Sequence, residues 1–156
     1  MKIGEYTKYY KVNNEERSHN IKLATKAINN YVLFPGERFS FNQIVGKRTK
    51  ERGYKKAPVI VKGEFAEDIG GGICQVSSTL FNAVNISGIH IIERVSHSRN
   101  VPYVPEGKDA TVSWWGPDFS FANKYDHPIL IRAHAENGIM NVRIFTSDNA
   151  NSNQSG

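Results

Sequence analysis

The stretch on which the reading of this chain turns is Gly70-Gly71-Gly72-Ile73-Cys74-Gln75-Val76-Ser77-Ser78-Thr79-Leu80. It holds three glycines, then the only cysteine of the 156 residues, then a helical pattern. Ile73, Val76, Leu80, Phe81 and Val84 recur at three- and four-residue spacing, an apolar stripe along one helix face, and Gly88 supplies the stop. Cys74, Ser77 and Ser78 fall on a different, polar face at i, i+3 and i+4, which puts the thiol at the edge of the packed stripe. A thiol at a helix start meets backbone N–H groups and the positive dipole end, and both favour the thiolate, the form that attacks carbon. Glycines before it allow a sharp turn and close approach of a ligand, and they leave amides to face a developing oxyanion. The competing reading of a lone cysteine is a small buried hydrophobe.

Outward from the helix the pattern is mixed. Lys2 to Lys11 is polar and Tyr-rich, an edge-strand candidate, and Ser18 is positioned to cap a first helix carrying Ile21, Ala24, Ile28 and Tyr31, ended by Pro35-Gly36. The segment from Phe39-Ser40-Phe41-Asn42 to Gly53-Tyr54 reads as loop, with a short helical turn near Asn42. Ala57 to Val61 reads as a strand ending at Lys62-Gly63, and Ile89 to Val95 and Ala110 to Trp115 as two more. Pro128 to Glu136 and Ile139 to Thr146 flank Asn137-Gly138, the strongest hairpin signal in the chain. Two helices and about five to seven strands predict an α+β class: one domain with the cysteine helix packed on a mainly antiparallel sheet. Within it, 1–35 is the lead-in and first helix, 36–146 the core, and 147–156 an Asn/Ser/Gly-rich tail expected to be disordered.

Composition bounds the function classes. At 39% hydrophobic the chain can bury one sizeable core. No apolar run approaches the ~18 residues of a membrane span, and Met1 to Tyr10 has no signal-peptide core, so membrane insertion by this chain is not expected. A net charge of +5 and a pI near 9.3 suit an anionic partner such as nucleic acid, a membrane surface or an acidic wall polymer, or simply a basic surface. The basic residues are spread out and do not alternate with aromatics, which argues against nucleic acid. No CxxC, HExxH or paired-histidine spacing supports a metal, no phosphate loop or GxGxxG supports a nucleotide, and no cofactor is expected. Ser77 and Ser78 are not in a GxSxG elbow.

A nucleophilic Cys74 needs a base and a group that orients the base. Among the five histidines, His97 stands apart: it follows the strand that leaves the cysteine helix, and such a strand returns alongside the helix. His19, His90, His127 and His134 read as surface, capping or strand positions. Asp109 opens the next strand and is placed to accept the imidazole N–H. Asp118, in Gly116-Pro117-Asp118, is the reserve and reads equally well as a turn. The order helix-Cys, strand-His, strand-Asp is that of papain-like and transglutaminase-like thiol enzymes, by analogy.

The same residues carry a resemblance. Phe39-Ser40-Phe41-Asn42, Gly53 to Ile60, Gly70 to Ala83, Glu93-Arg94, His97-Ser98, Tyr103-Val104-Pro105, Gly107 to Val112 and Asp118 to Phe121 resemble the VanW domain, over about Arg38 to Ile131. Phe81 stands where the family more often has Tyr. Some VanW-domain proteins of Gram-positive bacteria are L,D-transpeptidases that make 3-3 cross-links in peptidoglycan. The resemblance implies that activity, with tetrapeptide stems as donor and acceptor and with an extracytoplasmic place, at the cell wall or membrane-anchored in the full-length protein. It implies Cys74 as nucleophile, His97 as base and Asp109 as the group holding its tautomer. The oxyanion would face the Gly71, Gly72 and Ile73 backbone up to Cys74. Gln75, Ser77, Arg94, Ser98, Arg99 and Tyr103 are the expected stem contacts, with Lys108 nearby; Arg94, Arg99 and Lys108 read equally well as solvated charge. A stem-binding module without chemistry, and a wall peptidase or amidase using water as acceptor, are the alternatives.

Overall fold

A computed structural model describes residues 1–61, 64–97 and 100–148. The chain runs β1 (Lys2–Tyr9), α1 (Glu15–Ile28), β2 (Tyr31–Leu33), β3 (Arg38–Ser40), α2 (Phe41–Val45), a 3₁₀ turn (Lys50–Arg52), β4 (Lys56–Val61), β5 (Glu64–Ile69), α3 (Ile73–Ile86), β6 (His90–Glu93), β7 (Ser120–Ala122), β8 (Ile129–Glu136) and β9 (Ile139–Thr146). The strands form sheets of order β1-β9-β8-β2, β3-β7-β6 and β4-β5, and every pairing is antiparallel. This is the expected α+β class, in a single small domain.

The β8–β9 hairpin organises the larger sheet. Asn137 (φ +52) and Gly138 (φ +80) are both left-handed, as a tight turn matching the strand twist requires. Alternation then sends Ile129, Ile131 and Ala133 of β8 and Met140, Val142 and Ile144 of β9 to one buried face, against which α1 and α3 pack. The second sheet contributes an aromatic core. Phe39 and Phe121 stack with centroids 4.6 Å apart, and Phe119 meets Phe81 of α3 edge-on at 5.7 Å. Helix α3 is therefore covered on several sides, and Ser77, Ser78 and Thr79 are as buried as Val76 and Leu80.

Several expectations are corrected. Asn14, not Ser18, caps α1, its side chain accepting from the Arg17 amide. Ser18 lies one turn inside and donates to the Lys11 carbonyl. The helix stops at Asn29–Asn30, where Asn30 turns left-handed, and Tyr31 begins β2. The Phe39 segment is strand and helix because Asp118 closes it: its carboxylate accepts from the Ser40 hydroxyl and the Asn42 amide. Among the described residues Ala110 to Trp115 forms no strand: side chains of α3 hold its start, and the Thr111 amide donates to the Val95 carbonyl (2.7 Å). Strands β2, β3, β5 and β7 escaped the sequence reading, being short or strongly charged. The proposed strand end at Lys62-Gly63, and most of the proposed tail, lie outside the described residues.

Candidate active site

The glycine run earns its place through three close packings. A Cβ on Gly71 would stand 2.3 Å from the Ala57 carbonyl oxygen on β4. Gly70 (φ +91) and Gly72 (φ +102) are left-handed, and each lies under an arginine stem, Gly70 under Arg48 and Gly72 under Arg17. The turn thus drops from β5 into α3 with Cys74 in the first helical turn. Gly71 N–H is taken by the Asp68 carbonyl and Ile73 N–H by the Gly70 carbonyl, so these two expected oxyanion donors are engaged within the turn. Among the described residues no acceptor takes the N–H of Gly72 or Cys74.

Cys74 lies half-buried in an open cleft of about 1570 Å³ that is also lined by His97, Tyr103 and Trp115. Its Sγ is 3.5 Å from the Val112 carbonyl and 3.7 Å from Thr111 Oγ1. Burial opposes ionisation of the thiol. The His97 imidazole outweighs it, with help from the Val112 backbone and Thr111 hydroxyl, and the pKa falls below the ordinary thiol value.

His97 is held from behind. Asp109 Oδ2 accepts both the His97 backbone N–H and the Nδ1 proton, each at 2.6 Å, which leaves Nε2 for the thiol side. For His97, burial disfavours the imidazolium, but Cys74 and then Asp109 raise its pKa. For Asp109, burial is again the largest influence and pushes upward; the N–H donors of His97 overcome it and hold the carboxyl below its usual range. The three directions point the same way: each group favours the charged form of its neighbour along the line Cys74, His97, Asp109.

Asp109 reaches this place on a loop stapled to α3. Ser77 Oγ donates to the Ala110 carbonyl (2.6 Å), the Ala110 amide donates to Ser78 Oγ (2.9 Å), and Asn82 donates to the Lys108 carbonyl (2.7 Å). Ser77 is therefore no stem contact: it is fully buried and holds the loop. Arg94 is likewise committed, donating to the Asp109 and Gly107 carbonyls (2.8 and 2.7 Å) over the Phe81 ring. Gln75 is buried between Arg17 and the Tyr9 carbonyl. Tyr103 does face the cleft, edge-on to His97, and its phenol is pushed up, first by burial and then by the thiol. Asp118 sits at α2 rather than at His97, so the geometry brings Asp109 and not Asp118 to the imidazole. Ser98 and Arg99 lie outside the described residues. Lys108 is exposed.

A match to the family model described as VanW like protein covers residues 16–145. The chain belongs to the VanW-like family. It is 60% identical over 152 residues to a Bacillus subtilis (strain 168) protein named uncharacterized protein YoaR, covering 97% of this chain and 50% of that one. It is 34% identical over 119 residues to the vancomycin B-type resistance protein VanW of Enterococcus faecalis (strain ATCC 700802 / V583), covering 72% of this chain and 42% of that protein. The chain thus spans about half the length or less of these curated relatives. No solved structure matches it. The match begins in α1, well before Arg38, so the family domain includes the helix that carries Arg17.

Sequence reasoning missed Arg17, Arg48, Thr111 and the Trp114–Trp115 pair, all of which line the cleft. Arg17 and Arg48 look like ordinary surface charge in the sequence. The only trace of them is the glycine at each position their stems cross.

Proposed function

We propose that this domain is a cysteine-dependent acyltransferase, a peptidoglycan L,D-transpeptidase that forms 3-3 cross-links. The observation that carries the reading is the Asp109–His97 pair, 2.6 Å at Nδ1, facing a thiol at the start of a buried helix inside an open cleft. Family membership supports it.

Cys74 thiolate attacks the carbonyl carbon of the diamino acid at the third stem position. The electron pair moves onto oxygen, which the amides of Gly72 and Cys74 face; one such donor is typically worth about 10²–10³ in rate. Collapse breaks the C–N bond, the His97 imidazolium gives its Nε2 proton to the leaving D-alanine amine, and a thioester remains. The side-chain amine of a second stem then attacks. Neutral His97 takes its proton, the C–S bond breaks, and the thiolate is restored with a new amide formed. Asp109 keeps Nδ1 protonated throughout. A reaction on wall peptides belongs outside the membrane, and that is the place proposed for the domain.

The test is incubation with purified tetrapeptide muropeptides, read by mass spectrometry. Wild type should yield 3-3 dimers and a thioester adduct on intact protein, and Cys74→Ser neither, with stem affinity retained. Dimers from the Ser variant would dispose of the covalent route. Free tripeptide without dimers would assign water as the acceptor, and no product from either protein would favour a binder.

A further inference from the structure

Two guanidinium groups flank the thiol, and no part of the mechanism above uses them. Arg17 projects from α1 across Gly72, and Arg48 from the loop after α2 across Gly70, so the pair brackets the turn that delivers Cys74. Both are partly buried and both line the cleft. Arg17 gives one N–H to Gln75 Oε1 (2.7 Å) and its guanidinium stands 5.7 Å from the Tyr103 ring centre. Arg48 gives one to the Gly46 carbonyl and one to Asn42 Oδ1 (3.1 and 2.8 Å). Each therefore retains donors aimed elsewhere.

Among the described residues neither guanidinium has a carboxylate at ion-pair distance. Asp118, the acid that acts on Arg48 from nearby, is engaged with Ser40, Asn42 and Phe119. Glu16, Glu67 and Asp68 line the same cleft without pairing with either arginine. A partly desolvated cation without a counter-ion is costly, and two beside one nucleophile are a receptor whose desolvation is already partly complete before an anion arrives. Burial pulls both guanidinium groups down and the Cys74 thiolate supports them, so the pair also belongs electrostatically to the reacting centre.

We propose that Arg17 and Arg48 form a two-sided carboxylate receptor around Cys74, restricting acyl donors to peptides with a free carboxylate within one residue of the scissile carbonyl. The inference rests on the acyl-transfer reading of the cleft and adds to it the residues that recognise the donor's terminal carboxylate. A donor whose terminal residue is amidated or extended is refused, because it covers a partly buried guanidinium without pairing it.

The test uses charged and neutral alkylating agents on the intact chain. The ratio of Cys74 alkylation by iodoacetate to that by iodoacetamide, taken at one pH, cancels the thiolate fraction and reports attraction of a carboxylate. Arg17→Gln and Arg48→Gln keep the Cβ and Cγ atoms that pack on the glycines. Each should lower the ratio about tenfold, the loss of one charge-assisted hydrogen bond, and the corresponding Lys variants should recover part of it. N-acetyl-D-alanine should protect wild-type Cys74 saturably, and N-acetyl-D-alaninamide should not. An unchanged ratio in either Gln variant, or equal protection by acid and amide, overturns the receptor. Anion selectivity that persists in a protein making no 3-3 dimers removes transpeptidation and leaves the receptor standing. Normal dimer formation with no anion selectivity does the reverse.

Discussion

Replacing Asp109 by Asn tests the catalytic line at the place where the structure is most specific. Oδ2 of Asp109 receives two N–H groups of His97 at 2.6 Å, and the side chain is only 10% exposed, so solvent does little to screen the charge. Asn keeps the volume and removes the charge. A hydrogen bond to a charged group is worth about 1.5–3 kcal/mol against about 0.5–1.5 for a neutral one, so the imidazolium loses on the order of 1–1.5 kcal/mol. That is about tenfold in the population of the thiolate–imidazolium pair, since ~1.4 kcal/mol is a factor of ten. The assay is the pH dependence of Cys74 alkylation by iodoacetamide. The sign follows from the directions of the shifts. Cys74 is lowered and His97 raised, so each stabilises the other's charged form, and Asp109→Asn weakens that support by lowering the imidazole and letting the thiol rise. The rate should fall about tenfold on the acid side, and at high pH, where the thiolate forms without help, the two proteins should converge. A variant profile that superimposes on wild type across the whole range would show that Asp109 merely anchors its loop.

Three further outcomes are expected. His97→Ala should lower acyl transfer by roughly 10²–10⁴-fold with the circular dichroism spectrum retained. His134→Ala, on the exposed side of β8 paired with Glu136, should leave turnover intact, and equal losses in the two variants would refute the assignment. Ser77→Ala removes the stronger of two donors to the Ala110 carbonyl, while Ser78 still reaches it at 3.3 Å; urea unfolding should show a loss near 1 kcal/mol, the low end for a buried unpaired group. Gly71→Ala forces a Cβ against the β4 backbone and should cost about 1–3 kcal/mol in the same assay, with slower Cys74 alkylation as the turn is pushed out of place.

Legibility in the sequence tracks how local the deciding physics is. The β8–β9 hairpin and α3 were readable because a turn dipeptide and a 3.6-residue stripe declare themselves within a few residues. The N-terminus of α1 was misplaced because Ser18 is a good capping residue in isolation, and only the fold shows that Asn14 reaches the Arg17 amide first. Strands β3 and β7 are three residues each. Their pairing depends on Asp118 and on aromatic stacking across some eighty positions, neither of which has a local signature. Ala110 to Trp115 shows the opposite error, since a β-branched run looked like a strand but gives its start to α3 side chains.

The site divides along the same line. Cys74 was legible because glycine before a helix is a local fact, and His97 because a short strand fixes where the chain returns. What the sequence could not convey is that the polar face of α3 points inward. Read as a helix wheel, Ser77 and Ser78 are candidates to meet substrate. In the fold they are buried and carry the Asp109 loop, so the serines bear on the site one step back, by placing Asp109 against His97. The same inversion applies to the charges. Arg94, close to His97 in sequence, is used up on the Asp109 and Gly107 carbonyls, whereas Arg17 and Arg48, remote in sequence from Cys74, stand beside it. Nearness along the chain ranked the arginines wrongly because the cleft is assembled from α1, the α2 loop and α3, and the glycines at 70 and 72 are the only place where that assembly left a mark on the local sequence.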